Sequence, residues 1–431
     1  MTHTNGHLVR AVGLAGLTAI SLNGVIGSGI FVLPATVAAL LGPASMLAYL
    51  IAALATTLIV LCFAEAGSLF DRTGGPYLYA REAFGRFIGF EVGWMFFLTR
   101  LAAAGAISHA FASYLGYFWP ALMTGAGRLM VITALLGGLA WLNVRGIRYG
   151  AWTVNILTIA KLVPLVLFVS VGLVAADHSR YLLVALPDME KLRQASLVLI
   201  FAFGGFENAS VPSAEVIQPR RHVPAALLSA IGVTVVLYLL IQAVALGTHA
   251  GLAHDPTPLA SAGRNFLGPW GAGLITVGAI LSTGGSNSAL LLVGPRILYA
   301  LSEGGQLPAF LARIHPRFRT PHLAVITFAL LVWGISLYGS FAELAAMSAM
   351  ARLLFSVSTC LAVPRLRKRL PEPQSFRLPG GITIPLLATA ISLWLLTGIT
   401  PSQARAGALG LGVGALLYLL HRLLPRSLWK T

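Results

Sequence analysis

The N-terminal part of the chain contains a long apolar stretch without charge. From Ala11 to Ala64 there is no Asp, Glu, Lys or Arg. A membrane-spanning helix needs about 20 apolar residues, so this stretch is long enough for two spans, and Gly42-Pro43 supplies a turn between them. Charged residues make up 10% of the whole chain, against about 25% in soluble domains. These features predict an all-α membrane protein with no separate soluble domain.

Apolar segments of spanning length recur to the end of the chain. We predict twelve spans, at 11–39, 43–66, 88–118, 127–144, 150–175, 195–217, 223–248, 268–301, 322–340, 343–363, 381–400 and 404–424. Between spans 2 and 3, the sequence of residues 75–85 predicts a turn and a short interfacial helix. Residues 1–431 would then form a single transmembrane domain.

The basic residues are unevenly distributed between the two sides of the predicted bundle. Nineteen of the 29 lysines and arginines fall in loops and tails on the side of the N-terminus, six on the other side, and four within spans. An excess of Lys and Arg marks the cytoplasmic side, so both termini are expected in the cytoplasm, in an inner or plasma membrane. The net charge of +16 is then expected to face membrane lipids rather than nucleic acid.

Two spans are interrupted by glycines near mid-depth. Gly27-Ser28-Gly29 interrupts span 1, and Gly204-Gly205 interrupts span 6. Lipid cannot satisfy the backbone polar groups that a broken helix exposes, so such breaks survive only beside a cavity. Paired breaks in the two halves of a chain are typical of the substrate site of a transporter. Their spacing predicts two five-helix inverted repeats, at 11–175 and 195–363, followed by two further helices at 381–424.

The two breaks together predict a binding site for an α-amino acid. The half-helix that begins near Gly29 would offer free N–H groups to a carboxylate, and carbonyls at the second break would accept hydrogen bonds from an ammonium group. The predicted substrate-binding residues are Ile26, Gly27, Ser28, Gly29, Ile30, Phe201, Ala202, Gly204 and Phe206. Phe31 and Phe206 are candidate gates or pocket walls. The alternative is that the glycines only allow close helix packing.

Three polar residues are predicted to couple transport to protons: Lys161, Glu207 and Ser286. An ammonium group within span 5 needs a partner or a function. Lys161 would bond to span 1 carbonyls and to Ser286 of span 8, and its deprotonation would provide coupling; a structural lysine is the alternative. Glu207 would either sense protons or cap the second half-helix. Arg100 and Arg352 also lie within spans, with no evident partner in the sequence.

Several motifs resemble those of the amino acid–polyamine–organocation family of permeases. The resemblance is carried by residues 24–31, 64–66, 74–79, 142–146, 160–164, 201–207, 219–224, 294–300 and 320–321. It implies the leucine-transporter fold, with five plus five inverted helices and broken helices 1 and 6. It also implies amino-acid transport by alternating access, without a cofactor. Lys161 matches the lysine that replaces sodium in sodium-independent members, which implies proton symport or exchange.

The arginine/agmatine antiporters of this family are a related alternative. Glu207 falls on their proton-sensing glutamate, but Phe201 and Ala289 stand where they have tryptophans, and they lack the lysine found at Lys161. A guanidinium substrate would lose much of its cation–π contact in such a site. A neutral amino acid is therefore expected, with antiport of a basic amino acid or polyamine as the alternative.

Other functional classes fit the sequence less well. Residues 67–75 resemble a signature of major facilitator transporters, but the connection at 218–222 is too short for their long central loop. The sequence has no HExxH, GxSxG or carboxylate pair, so an enzyme is not expected, and neither a metal site nor a cofactor is predicted. A channel would differ by not saturating with substrate. A monomer and a homodimer both remain open.

Overall fold

The computed structural model describes residues 12–70, 74–146, 151–181, 186–210, 216–370 and 376–423, with the backbone alone at 151–157 and 422. Within these ranges the chain is helical apart from its turns and an isolated bridge between Val12 and Val216. The α-helices are α1 (Leu14–Val25), α2 (Gly29–Leu41), α3 (Ser45–Ser68), α4 (Pro76–Phe84), α5 (Arg86–Gly116), α6 (Gly125–Val144), α7 (Ala151–Ala175), α8 (Met189–Ala202), α9 (Pro219–Thr248), α10 (Pro258–Glu303), α11 (His322–Tyr338), α12 (Phe341–Arg369), α13 (Thr383–Leu396) and α14 (Pro401–Leu423).

The charge-free N-terminal stretch forms α1, α2 and α3. Gly42 has a φ of 54°, which glycine adopts without steric cost, and it ends α2 at the predicted turn. The short helix predicted between spans 2 and 3 is α4, and Gly85, with a φ of 95°, separates it from α5. The prediction of a turn and a short helix in this connection is confirmed.

Several helices begin earlier than the sequence predicted, and α8 and α10 do so by the most. Helix α8 begins at Met189 instead of residue 195, because the Asp188 carboxylate accepts hydrogen bonds from the amides of Glu190 (2.7 Å) and Lys191 (3.1 Å). Helix α10 begins at Pro258, but Gly268 has a φ of 68° and interrupts it where span 8 was predicted to start. Parts of four predicted spans lie outside the described ranges. These are the predicted ends at residues 11, 150 and 424 and residues 211–215 of span 6.

The helices pack into one bundle with a buried centre. Helix α5 packs along α12, α3 packs along α9, and α10 contacts both α5 and α7. Helices α5 and α12 are largely buried, whereas α6 and α14 expose large apolar side chains such as Trp141 and Leu416. Exposed apolar surface of this kind is unfavourable in water and favourable against lipid tails.

The helices are long and apolar enough for a membrane. Among the described residues, eight helical segments could cross a bilayer by length and composition, and one of them, at 29–68, contains both α2 and α3. Helices α1, α11 and α13 are shorter and also apolar. The chain is an all-α, multi-pass membrane protein, as predicted, while the number of twelve spans stays a prediction.

Candidate functional site

The helical hydrogen bonds stop between α1 and α2. The Ile26 amide still bonds back to the Leu22 carbonyl (2.8 Å), but the Gly27 amide turns back to the Val25 carbonyl (2.8 Å). The amides of residues 28–30 donate no hydrogen bond within the described part of the chain. The first amides of any helix lack an intrahelical acceptor, so α2 begins with free N–H groups and a positive dipole end in the middle of the bundle.

A second break follows α8. The Phe203 amide bonds to the Leu199 carbonyl (3.1 Å) and the Gly204 amide to the Phe201 carbonyl (3.2 Å), after which the helical pattern ends. Gly205 has a φ of 113°, in the region that glycine tolerates best. A short 3₁₀ helix, Phe206–Ser210, continues the chain.

The two breaks touch each other through glycines. A Cβ atom added at Gly24 would lie 2.7 Å from the Gly205 carbonyl oxygen, and one added at Gly29 would lie 2.6 Å from the Cα of Ala202. These separations are too short for real Cβ atoms, and the opposing atoms belong to the backbone. Glycine is therefore what allows the first break to pack directly on the second.

Some of the carbonyls at the breaks already have hydrogen-bond partners. The Phe201 carbonyl accepts the Gly204 amide (3.2 Å), and the Ala202 carbonyl accepts the Tyr238 hydroxyl (3.3 Å). The expectation that carbonyls of the second break are free to bind an ammonium group is therefore wrong for these two. The Tyr238 hydroxyl comes from α9, which the local sequence of the break does not reveal. The Gly204 carbonyl accepts no hydrogen bond from the residues that the structure describes.

A cavity of about 1360 Å³ lies beside the two breaks. Its wall includes the first break, α4, α5, the second break, α10, α12 and the end of α14. Several lining residues, among them Arg81, Arg86 and Glu303, are exposed. The cavity therefore reaches the surface at the end of the bundle where α4 and the C-terminal end of α10 lie.

Some of the predicted site residues line the cavity, and others are buried in the surrounding helices. Those that line the cavity are Gly27, Ser28, Gly29, Phe201, Gly204 and Ser286. Those that are buried outside its wall are Ile26, Ile30, Ala202, Phe206, Lys161 and Glu207. Within the described residues no group of three or more His, Cys, Asp or Glu side chains could hold a metal ion.

The Lys161 ammonium group is tied to the first break. Its Nζ donates to the carbonyls of Asn23 (2.9 Å) and Ile26 (2.6 Å), and the side chain is 1% exposed. The hydroxyl that shares the Ile26 carbonyl belongs to Ser282 (3.3 Å). The Ser286 hydroxyl has no hydrogen-bond partner among the described residues and lines the cavity instead, so Ser286 is not the Lys161 partner that the sequence suggested.

Glu207 is the centre of a buried charge cluster. One carboxylate oxygen lies 3.2 Å from Arg352 Nη2 and 3.6 Å from Arg100 Nη2, and the other accepts the Gly205 amide (2.9 Å). Arg100 also donates to the Asn208 side chain (2.6 Å). The carboxylate thus holds the backbone of the break at Gly205 and pairs with two arginines, from α5 and α12. Its two predicted roles, sensing protons or capping the second half-helix, stay predictions.

The candidate gates Phe31 and Phe206 lie in aromatic contacts away from the cavity wall. Phe31 packs edge-on against Tyr114, with ring centroids 5.9 Å apart, and the Tyr114 hydroxyl donates to the Phe31 carbonyl (2.6 Å). Phe206 packs edge-on against Phe63 at 5.3 Å. Phe201 is the predicted aromatic residue that does line the cavity.

The chain is similar to known transporters over nearly its whole length. The family model described as amino acid permease matches residues 12–406. Three similar proteins come from Bacillus subtilis (strain 168). The methylthioribose transporter is 29% identical over 96% of this chain and 94% of its own length. The branched-chain amino acid permease BcaP is 29% identical over 96% of this chain and 93% of its own length. The serine/threonine exchanger SteT is 30% identical over 96% of this chain and 96% of its own length.

These similarities agree with the architecture of the site. A pair of broken helices beside a cavity, inside a multi-pass bundle, is the arrangement that a carrier needs. The relatives are transporters and not enzymes, and their family supports amino acid transport. Because the family model covers most of its length, this chain belongs to the amino acid permease family of amino acid–polyamine–organocation transporters.

Proposed function

We propose that this chain is a sodium-independent secondary carrier of amino acids, coupled either to protons or to exchange. The observation that carries the proposal is the group of free amides at residues 28–30, where α2 begins in the wall of the cavity. A carboxylate is the natural ligand for such a helix N-terminus. The substrate ammonium group would bond to the Gly204 carbonyl, in the same cavity wall.

Lys161 supports sodium independence. Its ammonium group donates to two carbonyls of the first break, which are the kind of oxygen ligands that a sodium ion would use. A fixed cation at this position makes a second one unfavourable. Removal and return of the Lys161 proton would change the hydrogen bonds of the first break, and this is the proposed route of proton coupling.

The proposed topology is that of twelve spans with two inverted repeats of five, within an inner or plasma membrane. Helices α1 and α2 would form span 1, and α8 with the residues that follow it would form span 6. Both termini would be cytoplasmic by the distribution of Lys and Arg. The cavity would then open to the cytoplasm, and α1–α3, α8 and α9 would move against the other helices to open the opposite side.

The charges of the cavity disfavour a cationic substrate. Arg100 and Arg352 both line it, and they share the single carboxylate of Glu207. A lysine, arginine or polyamine would bring further positive charge to this surface, which like-charge repulsion opposes. This argues against the basic amino acid or polyamine antiport that the sequence left as an alternative, and it supports an amino acid without a net positive charge.

Counterflow in proteoliposomes tests the proposal. The purified protein would be reconstituted into vesicles loaded with one unlabelled amino acid at a time, and uptake of the labelled amino acid would be measured with and without sodium and a pH gradient. We expect saturable uptake of at least one amino acid that needs no sodium. Strict dependence on sodium, or the absence of counterflow for every amino acid, would contradict the proposal.

A further inference from the structure

The middle of the bundle carries more positive than negative charge. Arg100, Lys161 and Arg352 are at most 5% exposed, and Glu207 is fully buried between the two arginines. Lys161 bonds to backbone carbonyls. One carboxylate therefore faces two guanidinium groups, and the arginine cluster keeps one positive charge in excess. Charges inside a membrane protein normally pair with each other or with a ligand.

Other carboxylates of the described residues do not balance this excess. Glu65 pairs with Arg367 where α3 and α12 end. Glu91 of α5 lies against α14, since a Cβ atom added at Gly414 would be 2.8 Å from its carboxylate. The counter-charge for the arginine cluster is therefore open to a molecule in the cavity.

Arg100 has donor capacity left over. Its Nη2 donates to Asn208, but its Nε is buried with no hydrogen-bond partner among the described residues. The guanidinium lies 4.3 Å from the centre of the Phe96 ring, and both side chains line the cavity. The described residues thus leave part of the donor capacity of this cavity-lining guanidinium unused, and a carboxylate matches a guanidinium in geometry and charge.

Arg100 also lies next to the first break. Its partner Asn208 is packed on that break, because a Cβ atom added at Gly24 would lie 2.8 Å from the Asn208 amide nitrogen. A ligand whose α-carboxylate meets the amides of residues 28–30 would thus have Arg100 in the same pocket.

The cavity mouth has the same sign of charge. Among the lining residues of the whole cavity, five are arginines and one is a glutamate: Arg81, Arg86, Arg100, Arg296, Arg352 and Glu303. A cleft lined by one sign of charge concentrates ligands of the opposite sign. The route to the site and the site itself therefore favour an anion.

We infer that the site takes amino acids with a carboxylate side chain, the side-chain carboxylate binding Arg100 as counter-ion of the Arg100–Glu207–Arg352 cluster. This inference rests on the proposed function, since the substrate α-carboxylate and ammonium group are bound at the two helix breaks. It adds Arg100 as the residue that selects the side chain of the substrate. A neutral amino acid satisfies the breaks but leaves the excess charge of the cluster uncompensated.

Isosteric pairs of amino acids test the inference on the unmodified protein. Glutamate and glutamine, or aspartate and asparagine, differ in charge and hardly in size. In proteoliposomes, glutamate or aspartate should compete with a labelled substrate at least about tenfold better than its amide, because a charge-assisted bond to Arg100 would be lost in the amide. Sodium-free counterflow of any amino acid would uphold the proposed function whichever way this comparison falls.

A variant of Arg100 tests the residue itself. In Arg100→Gln, Arg352 still pairs with Glu207, so the carboxylate still holds the break at Gly205. We expect the preference for glutamate over glutamine, measured as the ratio of their half-inhibitory concentrations in the same variant, to fall by about tenfold. Arg100→Lys should restore part of the preference. Arg264→Gln, which removes an exposed arginine of α10 outside the cavity, is the matched control and should leave it unchanged.

Two outcomes would overturn the inference. One is efficient counterflow of neutral amino acids in which glutamate and aspartate neither compete nor are transported. The other is a preference for the acids that survives unchanged in Arg100→Gln. The absence of counterflow for every amino acid would overturn the proposed function, and the inference with it.

Discussion

At the scale of single residues, Gly29 fixes how closely α2 approaches the second break. An added methyl group would lie 2.6 Å from the Ala202 Cα, so Gly29→Ala must displace backbone. Overpacking of this kind costs about 1–3 kcal/mol, and about 1.4 kcal/mol corresponds to a tenfold change in affinity. We therefore expect Gly29→Ala to weaken substrate binding about tenfold, measured as the half-saturating concentration in counterflow.

Gly273→Ala is the matched control for this prediction. Gly273 lies in α10 and has no atom within 4 Å of an added Cβ, so the substitution should leave uptake unchanged. If Gly29→Ala transported as well as Gly273→Ala, the contact between the two breaks would not matter for binding.

Lys161 is the residue on which the proposed coupling depends. Lys161→Ala removes the donor of two carbonyls, those of Asn23 and Ile26. We expect uptake to fall and to lose its response to an imposed pH gradient, because the group that would carry the proton is gone. Parallel uptake assays at several values of pH check this. A variant with unchanged response to pH would show that the lysine is only structural.

Some residue roles could be predicted from the sequence and others could not. The glycines of both breaks and the isolated Lys161 are visible because each violates what lipid tolerates at that depth. Ser286 and Ser282 are one turn apart on the same face of α10, so the sequence indicates the face but not the height at which Lys161 meets it. The pairing of Glu207 with Arg100 and Arg352 joins three helices that are distant in the sequence, and it needs the packed structure.

At the scale of helices, the cap of α8 has a defined dependence on pH. The amides of Lys191 and Glu190 hold the pKa of Asp188 below its ordinary value. The cap therefore stabilises α8 at neutral pH, and its contribution is lost as the pH falls through this lowered pKa. Asp188→Ala should speed hydrogen exchange of the amides at 190 and 191 at neutral pH, with little difference in acid.

The variant Asp188→Asn separates the cap from the charge. Asparagine is also a good N-cap residue, so exchange at neutral pH should stay slow and become insensitive to acid. Equal exchange rates in Asp188→Ala and the unmodified protein at neutral pH would show that packing alone holds the first turn of α8.

An ion pair joins the ends of α3 and α12. Arg367 donates to both carboxylate oxygens of Glu65, at 2.5 and 2.7 Å, and the Leu378 amide bonds to the same carboxylate (3.0 Å). Glu65 is 1% exposed and Arg367 21% exposed. Breaking a buried ion pair lowers the free energy of unfolding by about 3–5 kcal/mol. Because Arg367 is partly exposed, we expect a loss at the low end of that range, about 3 kcal/mol.

Thermal unfolding in detergent checks the role of this ion pair. Arg367→Gln should lower the melting temperature clearly, while Lys368→Gln, at the next and exposed position of α12, should not. Equal melting temperatures for the two variants would mean that the ion pair contributes no net stability.

Helix boundaries show what local sequence can specify. The Gly42 turn and the short α4 were predicted because glycine and proline act locally on the backbone. The early start of α8 was missed because residues 189–194 are polar, and a polar segment is predicted as a loop when only hydropathy is considered. The Asp188 cap nevertheless starts the helix at Met189. Capping signals can correct such boundaries where apolar runs alone cannot.

At the scale of the whole molecule, one cavity would hold the proposed substrate site and connect it to the surface. Helices α1, α2, α5, α8 and α10 meet at that cavity, and its open end lies beside α4. All-α class and membrane location follow from composition, because apolar residues make up 57% of the chain. The shape and charge of the cavity do not follow from composition, because they depend on which helices are neighbours.

Substrate protection of a single cysteine in the cavity tests this account most directly. The two native cysteines, Cys62 and Cys360, are fully buried, so Ser286→Cys would supply one thiol in the cavity wall. A membrane-impermeant thiol reagent should label it from the side of α4, and a transported amino acid should slow the labelling in proportion to its occupancy of the site. A transported amino acid that leaves the labelling rate unchanged would contradict a binding site between the two broken helices.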